Sequence, residues 1–231
     1  MKSKLQQTLE KNSKVITAEL MPPRGGDPVR SLKIAQLLRN KVHAVNITDG
    51  SRAIMRMCSL AMSKLLLESG IEPIMQISCR DRNKIAIQSD ILGANALGIK
   101  NILCITGDSV KAGDQQETKA VHEFEAVRLL KQIQSFNQGI DPTFEQLPDK
   151  STKIFSGAAV DPSCRNQRSL KIRTIKKKEA GANFLQTQIV MDRNCLANFC
   201  NEISNPIEIP VIAGVFLLKS YKNALFINKF V

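Results

Sequence analysis

The amino-acid sequence predicts an α/β fold of the (β/α)8 class, a TIM barrel, with the eighth β/α unit missing from the chain. Three observations lead there. Seven short runs rich in strand-forming residues each lead into a segment of helical character, which implies βα units, a parallel sheet and right-handed crossovers. No break in composition divides the 231 residues, so a single barrel domain over 1–231, incomplete at its C-terminus, is expected. The phosphate-loop patterns GxGxxG and GxxxxGKS/T are both absent, which counts against a doubly wound sheet, the competing architecture.

In chain order the strands are read as VITAEL (15–20), AVNIT (44–48), PIMQIS (73–78), NILCIT (101–106), IFSGAAV (154–160), FLQTQIV (184–190) and PVIAGVF (210–216). Each is short, apolar and β-branched, as strands buried on both faces are. The helical segments between them are 31–40, 53–70, 83–98, 123–136, 169–180, 194–203 and 220–230, several of which stop at a glycine. The stretch FNQGIDPTFEQLPDKSTK (136–153) carries neither period and reads as a surface insertion.

Composition bounds the partners. No apolar run is long enough to span a bilayer and the first residues, MKSKLQQTLEKNSK, have no apolar signal region, which points to a cytoplasmic protein with no membrane association. The six cysteines form no CxxC pair and lie far from His43 and His122, so a metal site is not expected. The net charge of +12 favours an anionic partner. The basic residues are spread along the chain, however, and the one cluster, KIRTIKKKEAGA, reads as a solvated helix face. With nine Phe, one Tyr and no Trp, there is also no interleaving of aromatic and basic residues of the kind that stacks bases, so nucleic acid is not the preferred partner.

Active sites of parallel barrels lie where strands end. Those positions hold Glu19, then Thr48, Asp49 and Gly50, then Gln76 with CRDRN, then Thr106, Gly107 and Asp108, then Gln186 and Gln188. Taken singly each has a structural reading: a rim charge, a helix N-cap, a turn. Together they place acids and amides at the same end of successive strands, converging on one mouth. Glycines 50 and 107 would let the backbone approach a ligand closely. The PPRGG run stops the first strand sharply and holds Glu19 at the rim, where partial burial would raise its pKa as a general acid requires.

The stretches AELMPPRGG, VNITDGSRAIMRM, MQISCRDRN, ALGIKNILCITGD, GAAVDP, KKKEAGANFLQTQIVMD and VIAGVFLLKS, in that order, resemble the methylenetetrahydrofolate reductase family, and its bacterial branch in ITGDSVKAGDQQETKAV. The resemblance implies a flavoprotein barrel that reduces 5,10-methylenetetrahydrofolate to 5-methyltetrahydrofolate with a hydride from reduced FAD, feeding methionine synthesis. It implies Glu19 as the general acid that protonates N10, and Asp108 as an aspartate between flavin and pterin. Gln188 matches a pterin-binding glutamine and Asn223 aligns with a second. Thr48, Gly50, Gln76, Thr106, Gly107, Asp108 and His122 fall on flavin-contact positions, with Lys177 and Arg173 near the cofactor's phosphates. Gln76 stands where some members have histidine, and Thr106 where others have arginine. The positive charge then suits the FAD diphosphate and folate polyglutamate tails.

The resemblance leaves the electron donor open between NADH, NADPH and a partner protein, and a homo-oligomer open as well. A non-catalytic flavin-binding paralogue and a related pterin or flavin barrel with another one-carbon substrate remain as alternatives. Because family members continue through an eighth strand and helix, the chain is expected to be truncated, poorly stable and weakly active.

Overall fold

The computed structural model of the chain describes the backbone of residues 1–141, 143, 145–147 and 151–230, and all of their side chains but those of 226 and 228–230. Seven strands form one all-parallel sheet in sequential order: β1 (Thr17–Leu20), β2 (Ala44–Ile47), β3 (Pro73–Ser78), β4 (Asn101–Ile105), β5 (Phe155–Val160), β6 (Phe184–Ile189) and β7 (Val211–Gly214). The sheet curls into a half-barrel, and helices α2 (Val29–Leu38) to α8 (Tyr221–Phe230) follow the strands in turn. These include α3 (Ser59–Glu68), α4 (Lys84–Ala96), α5 (Ala126–Asn137), α6 (Gln167–Glu179) and α7 (Arg193–Phe199). Among the described residues β1 pairs only with β2, and β7 only with β6.

Two apolar layers hold the sheet. Its outer face packs Met75, Ile77 and Ile102 against Ile87 and Ile91 of α4 and Leu129 and Ile133 of α5. Its inner face closes a smaller cluster: Ala44, Ile74, Leu103, Phe155, Phe184 and Ile212, one from each of six strands. The Phe155 and Phe184 rings stack with centroids 5.4 Å apart. A Cβ at Gly157 would run into the Phe184 ring, so that position admits only glycine.

The sequence reading missed the element that plugs this inner cluster. Helix α1 (Lys4–Glu10) lies at the N-terminal end of the strands, with Leu5 fully buried among the lumen residues. Seven residues are too few to stand alone as a helix, so tertiary contacts supply its stability. Ser3 accepts from the Gln6 amide at 3.0 Å. Glu72, just before β3, accepts from the amides of Lys4 (2.7 Å) and Leu5 (2.9 Å), an anion placed at a helix N-terminus.

Other boundaries differ for local reasons. The expected helix over 53–70 begins only at Ser59, because Arg52 and Ala53 adopt left-handed φ of 58° and 54° and end a single 3-10 turn. The expected helix over 194–203 is α7 followed by a π-helical turn at Cys200–Ser204. Strand β7 stops at Gly214, short of the expected 216. The insertion over 136–153 lies partly outside the described residues.

Candidate active site

Strand alternation decides which polar residues face the lumen. Leu20, Val45 and Ile47 point outward, packing with Ala35 of α2 and Met62 and Leu66 of α3. Their neighbours Glu19, Asn46 and Thr48 therefore face inward, as do Gln76 on β3 and Gln186 on β6, above the apolar floor. Thr48 and Asn46 are buried, and Thr48 Oγ1, Asn46 Oδ1 and Gln186 Oε1 have no hydrogen-bond partner among the described residues. Glu19 keeps solvent access beside the open edge of β1. The protein around it nonetheless desolvates the carboxylate and raises its pKa, as the sequence reading anticipated.

The loops above β2, β3 and β4 are tied by two arginines of CRDRN. Asp49, expected only as one of several polar strand-end groups, is a buried strut: it accepts from the Ser78 amide (2.8 Å) and from both terminal nitrogens of Arg82 (2.6 and 3.1 Å). Arg82 also pairs with Asp90 at 2.7 Å. Arg80 is 3% exposed. Its guanidinium grips the Asp81 carboxylate through Nε and Nη2, both at 2.6 Å, and donates to the carbonyls of Gly50 (3.1 Å) and Asp108 (3.3 Å).

Glycines 50 and 107 are left-handed, with φ of 56° and 96°, and each lies against this arginine. A Cβ on Gly50 would stand 2.6 Å from Arg80 Nη2, and one on Gly107 2.8 Å from Arg80 Cβ. The Asp108 carboxylate accepts from the Arg52 amide at 2.7 Å, which joins the loops after β2 and β4. The Val121 amide donates to the Arg80 carbonyl at 2.8 Å, and exposed His122 follows Val121 in the chain. Exposed Thr106 leads from β4 into this loop.

PPRGG is fastened to the same roof. Arg24 pairs with Asp114, whose other oxygen accepts from the Met55 amide at 3.2 Å. The Pro23 carbonyl accepts from the Met57 amide (2.9 Å), and that of Pro22 from Arg56 Nη1 (3.0 Å).

A cavity of about 290 Å³ opens beyond the ends of β5 and β6, lined by Ala159, Cys164, Arg173, Lys177 and Gln188 among others. Lys177 Nζ donates to the Ala159 carbonyl at 2.6 Å. Burial, and then the neighbouring Arg173 guanidinium, hold its ammonium below its ordinary pKa. Arg173 Nη2 lies 3.1 Å from Cys164 Sγ. The structure thus brings Arg173, Lys177 and Gln188 around one cavity, Glu19, Thr48 and Gln76 onto the lumen face, and Gly50, Gly107 and Asp108 around Arg80, while His122 stays exposed next to Val121. Asn223, in the first turn of α8, makes local bonds: its Oδ1 accepts from the Lys219 amide (3.3 Å) and its amide donates to Ser220 Oγ (3.2 Å).

Arg80 and Arg82, within CRDRN, and Asn46, inside β2, are functional positions to which the sequence alone assigns no role. The signal for Asn46 was its period-two relation to Thr48; the arginines carry none, because their partners lie on other strands.

The family model for methylenetetrahydrofolate reductase matches residues 4–231. The chain belongs to the methylenetetrahydrofolate reductase family. A relative named methylenetetrahydrofolate reductase 2, from Schizosaccharomyces pombe, is 28% identical over 218 residues, covering 88% of this chain and 33% of that protein. A probable methylenetetrahydrofolate reductase (NADPH) of Caenorhabditis elegans is 21% identical over 98% of this chain and 34% of its own length. The chain thus spans about a third of the length of these curated relatives. Among solved structures, a Clostridium thermocellum protein that binds two copies of 5-methyl-5,6,7,8-tetrahydrofolic acid superposes with a TM-score of 0.63 at 14% identity, over 90% of this chain and 68% of that one. A 2,3-dimethylmalate lyase superposes at 0.59 and 13% identity, over 96% of this chain and 76% of that one. At such identities these structures speak for the α/β fold that the methylenetetrahydrofolate reductase match implies. No described helix is long and apolar enough to cross a membrane.

Proposed function

We propose that residues 1–231 form the barrel of a flavin-dependent methylenetetrahydrofolate reductase, which converts 5,10-methylenetetrahydrofolate to 5-methyltetrahydrofolate and so supplies methyl groups for methionine synthesis. Family membership supports the reaction, and the folate-binding Clostridium thermocellum structure supports a folate substrate. The observation that carries the reading is Glu19, a carboxyl on the same lumen face as Thr48, Gln76 and Gln186, which keeps solvent access while the protein around it partly desolvates it and raises its pKa.

The residues fit FAD. Thr48 Oγ1 is buried without a partner among the described residues, Gly50 and Gly107 keep the loop backbone bare of side chains, and Arg173 and Lys177 offer two cations at one cavity, as a diphosphate requires. Gln76, Thr106, Asp108 and His122 complete the flavin-holding set. When bound, FAD supplies the hydride for the methylene carbon of the folate. Glu19 donates a proton to N10, which opens the five-membered ring and leaves a 5-iminium cation. Asp108 stabilises that cation with its carboxylate. Gln188 and Asn223 take the pterin. In this reading an eighth strand lies between β7 and β1.

Electrons come from NADH, NADPH or a donor protein. The test is spectroscopic: the purified chain, loaded with FAD, is expected to bleach with its donor under anaerobic conditions and to regain its colour with methylenetetrahydrofolate. A colourless protein that takes up no flavin would refute the reading.

A further inference from the structure

Asn46 is a buried amide that the fold does not use. It is 2% exposed on the lumen face of β2, and its Oδ1 has no partner among the described residues. A buried acceptor left unpaired is destabilising, and folded proteins keep few of them. The same inner face holds Ala44 two residues before it and Ile74 as its register partner on β3, so an apolar side chain would suit the packing.

Its position explains what it is kept for. Asn46 is the register partner of Glu19 in the β1–β2 ladder, on the same face, so the two side chains stand side by side on strands roughly 4.8 Å apart. The group that Glu19 protonates therefore also comes within reach of Asn46.

The chemistry proposed above creates a hydrogen-bond donor at that spot. In the bridged folate, N10 carries no hydrogen. The proton passes from the Glu19 carboxyl to the N10 lone pair. The bond between N10 and the methylene carbon then breaks, its electron pair stays on N10, and the N5 lone pair forms the iminium double bond. Glu19 is left as a carboxylate, and N10 as a secondary amine bearing an N–H. We infer that Asn46 is a substrate-contacting residue whose Oδ1 accepts this new N10–H, favouring the ring-opened folate over the bridged one. The inference rests on the folate reading and names a residue that reading does not require. An interaction made only after the ring opens lowers the barrier to the opened species without tightening the substrate.

The test compares two ligands on the FAD-loaded oxidised chain: 5-methyltetrahydrofolate, which has the N10–H, and 5,10-methylenetetrahydrofolate, which lacks it. Asn46→Leu is expected to weaken the first at least tenfold and the second less than twofold, with flavin content unchanged. Its apoprotein should melt at or above the parent's temperature, because an unpaired buried amide is gone. Asn46→Ala is expected to show the same split between ligands, and decides the matter if the leucine variant does not fold. Equal losses on both folates would overturn the inference in favour of a pterin or packing role. Unchanged affinity for both would overturn it in favour of an ordered water on Oδ1, and a loss of flavin would assign the contact to the cofactor. If the parent chain itself binds neither folate, the proposed function fails, an outcome distinct from these three.

Discussion

A group that gives up a proton near neutral pH must still hold one there, and Glu19 is pushed that way by desolvation. The shift has a cost with a definite sign. Its folded-state pKa lies above the ordinary 4.5, so past that pH the native chain binds more proton than the unfolded chain. Stability therefore falls as pH rises from about 4.5 through the folded value, while in acid the residue is neutral in both states. Glu19→Gln should be more stable than the parent at pH 8 and equal to it at pH 4, read from urea midpoints. In the same variant the folate half-reaction should fall by about 10²–10⁴-fold with flavin reduction spared, since an amide cannot deliver the proton. Equal loss of both half-reactions would mark Glu19 as structural. Asp108→Asn should raise the flavin midpoint potential by on the order of 30 mV, about 1.4 kcal/mol for two electrons, because a negative charge beside the reduced flavin is removed. A potentiometric titration giving an unchanged or lower midpoint would contradict the assignment. At this scale the sequence was legible where a residue ends a strand. Glu19 and Thr48 could be placed at strand ends from period and position alone, whereas the roles given to them come from the family resemblance. Asn46 sits inside β2, where an asparagine is expected to be a minor irregularity, and only the register with Glu19 gives it meaning.

Elements were legible to the extent that they bury a continuous apolar run. All seven strands could be read from their residues, and β3 matches at both ends, because each passes between two packed layers. Where a boundary depends on something outside the local pattern, reading failed. Helix α1 is held by Glu72 and by the lumen, neither of which is near it in sequence. The segment over 54–58 has the composition of a helix and forms none, since its Met55 and Met57 amides are engaged by Asp114 and Pro23. The same dependence on distant partners governs the roof of the site. Arg80 spans the loops after β2 and β4 by donating to Gly50 and Asp108, and lysine cannot reproduce its planar fork. Arg80→Met should destabilise the chain by about 2–3 kcal/mol, the range for losing hydrogen bonds from a charged donor. It should also speed hydrogen exchange at the Arg52 amide, which is bonded to Asp108, more than exchange in β5 or β6. Uniform acceleration across the sheet would mean that Arg80 stabilises the fold without fixing that loop.

For the whole molecule the decisive feature is the seam between the first and last strands. Here lies the larger cavity, about 640 Å³, lined by Val15, Ile16 and Thr17 on one side and by Val211, Ile212 and Ala213 on the other. Both edges leave one side of the strand backbone without a strand partner among the described residues. Apolar side chains crowd the approach: Ile16, Val215 and Leu217 are all exposed. Parallel strands are stable when both faces are covered, and bare apolar edges invite association. The proposed eighth strand would pair with β7 and β1 together, cover these side chains and wall the lumen beside Glu19. A chain extended by an eighth β/α unit from a relative should therefore melt higher than the 231-residue chain. A gain of even 2–3 kcal/mol would raise Tm by roughly 4–12 °C at this size. The extended chain should also hold more flavin per mole, turn over faster and stay monomeric at concentrations where the shorter one self-associates. Calorimetry, absorbance and light scattering on the pair measure all of this. If the 231-residue chain is monomeric, fully flavinated and as active as the extended one, the open seam is a stable edge and the eighth strand has no place in the site.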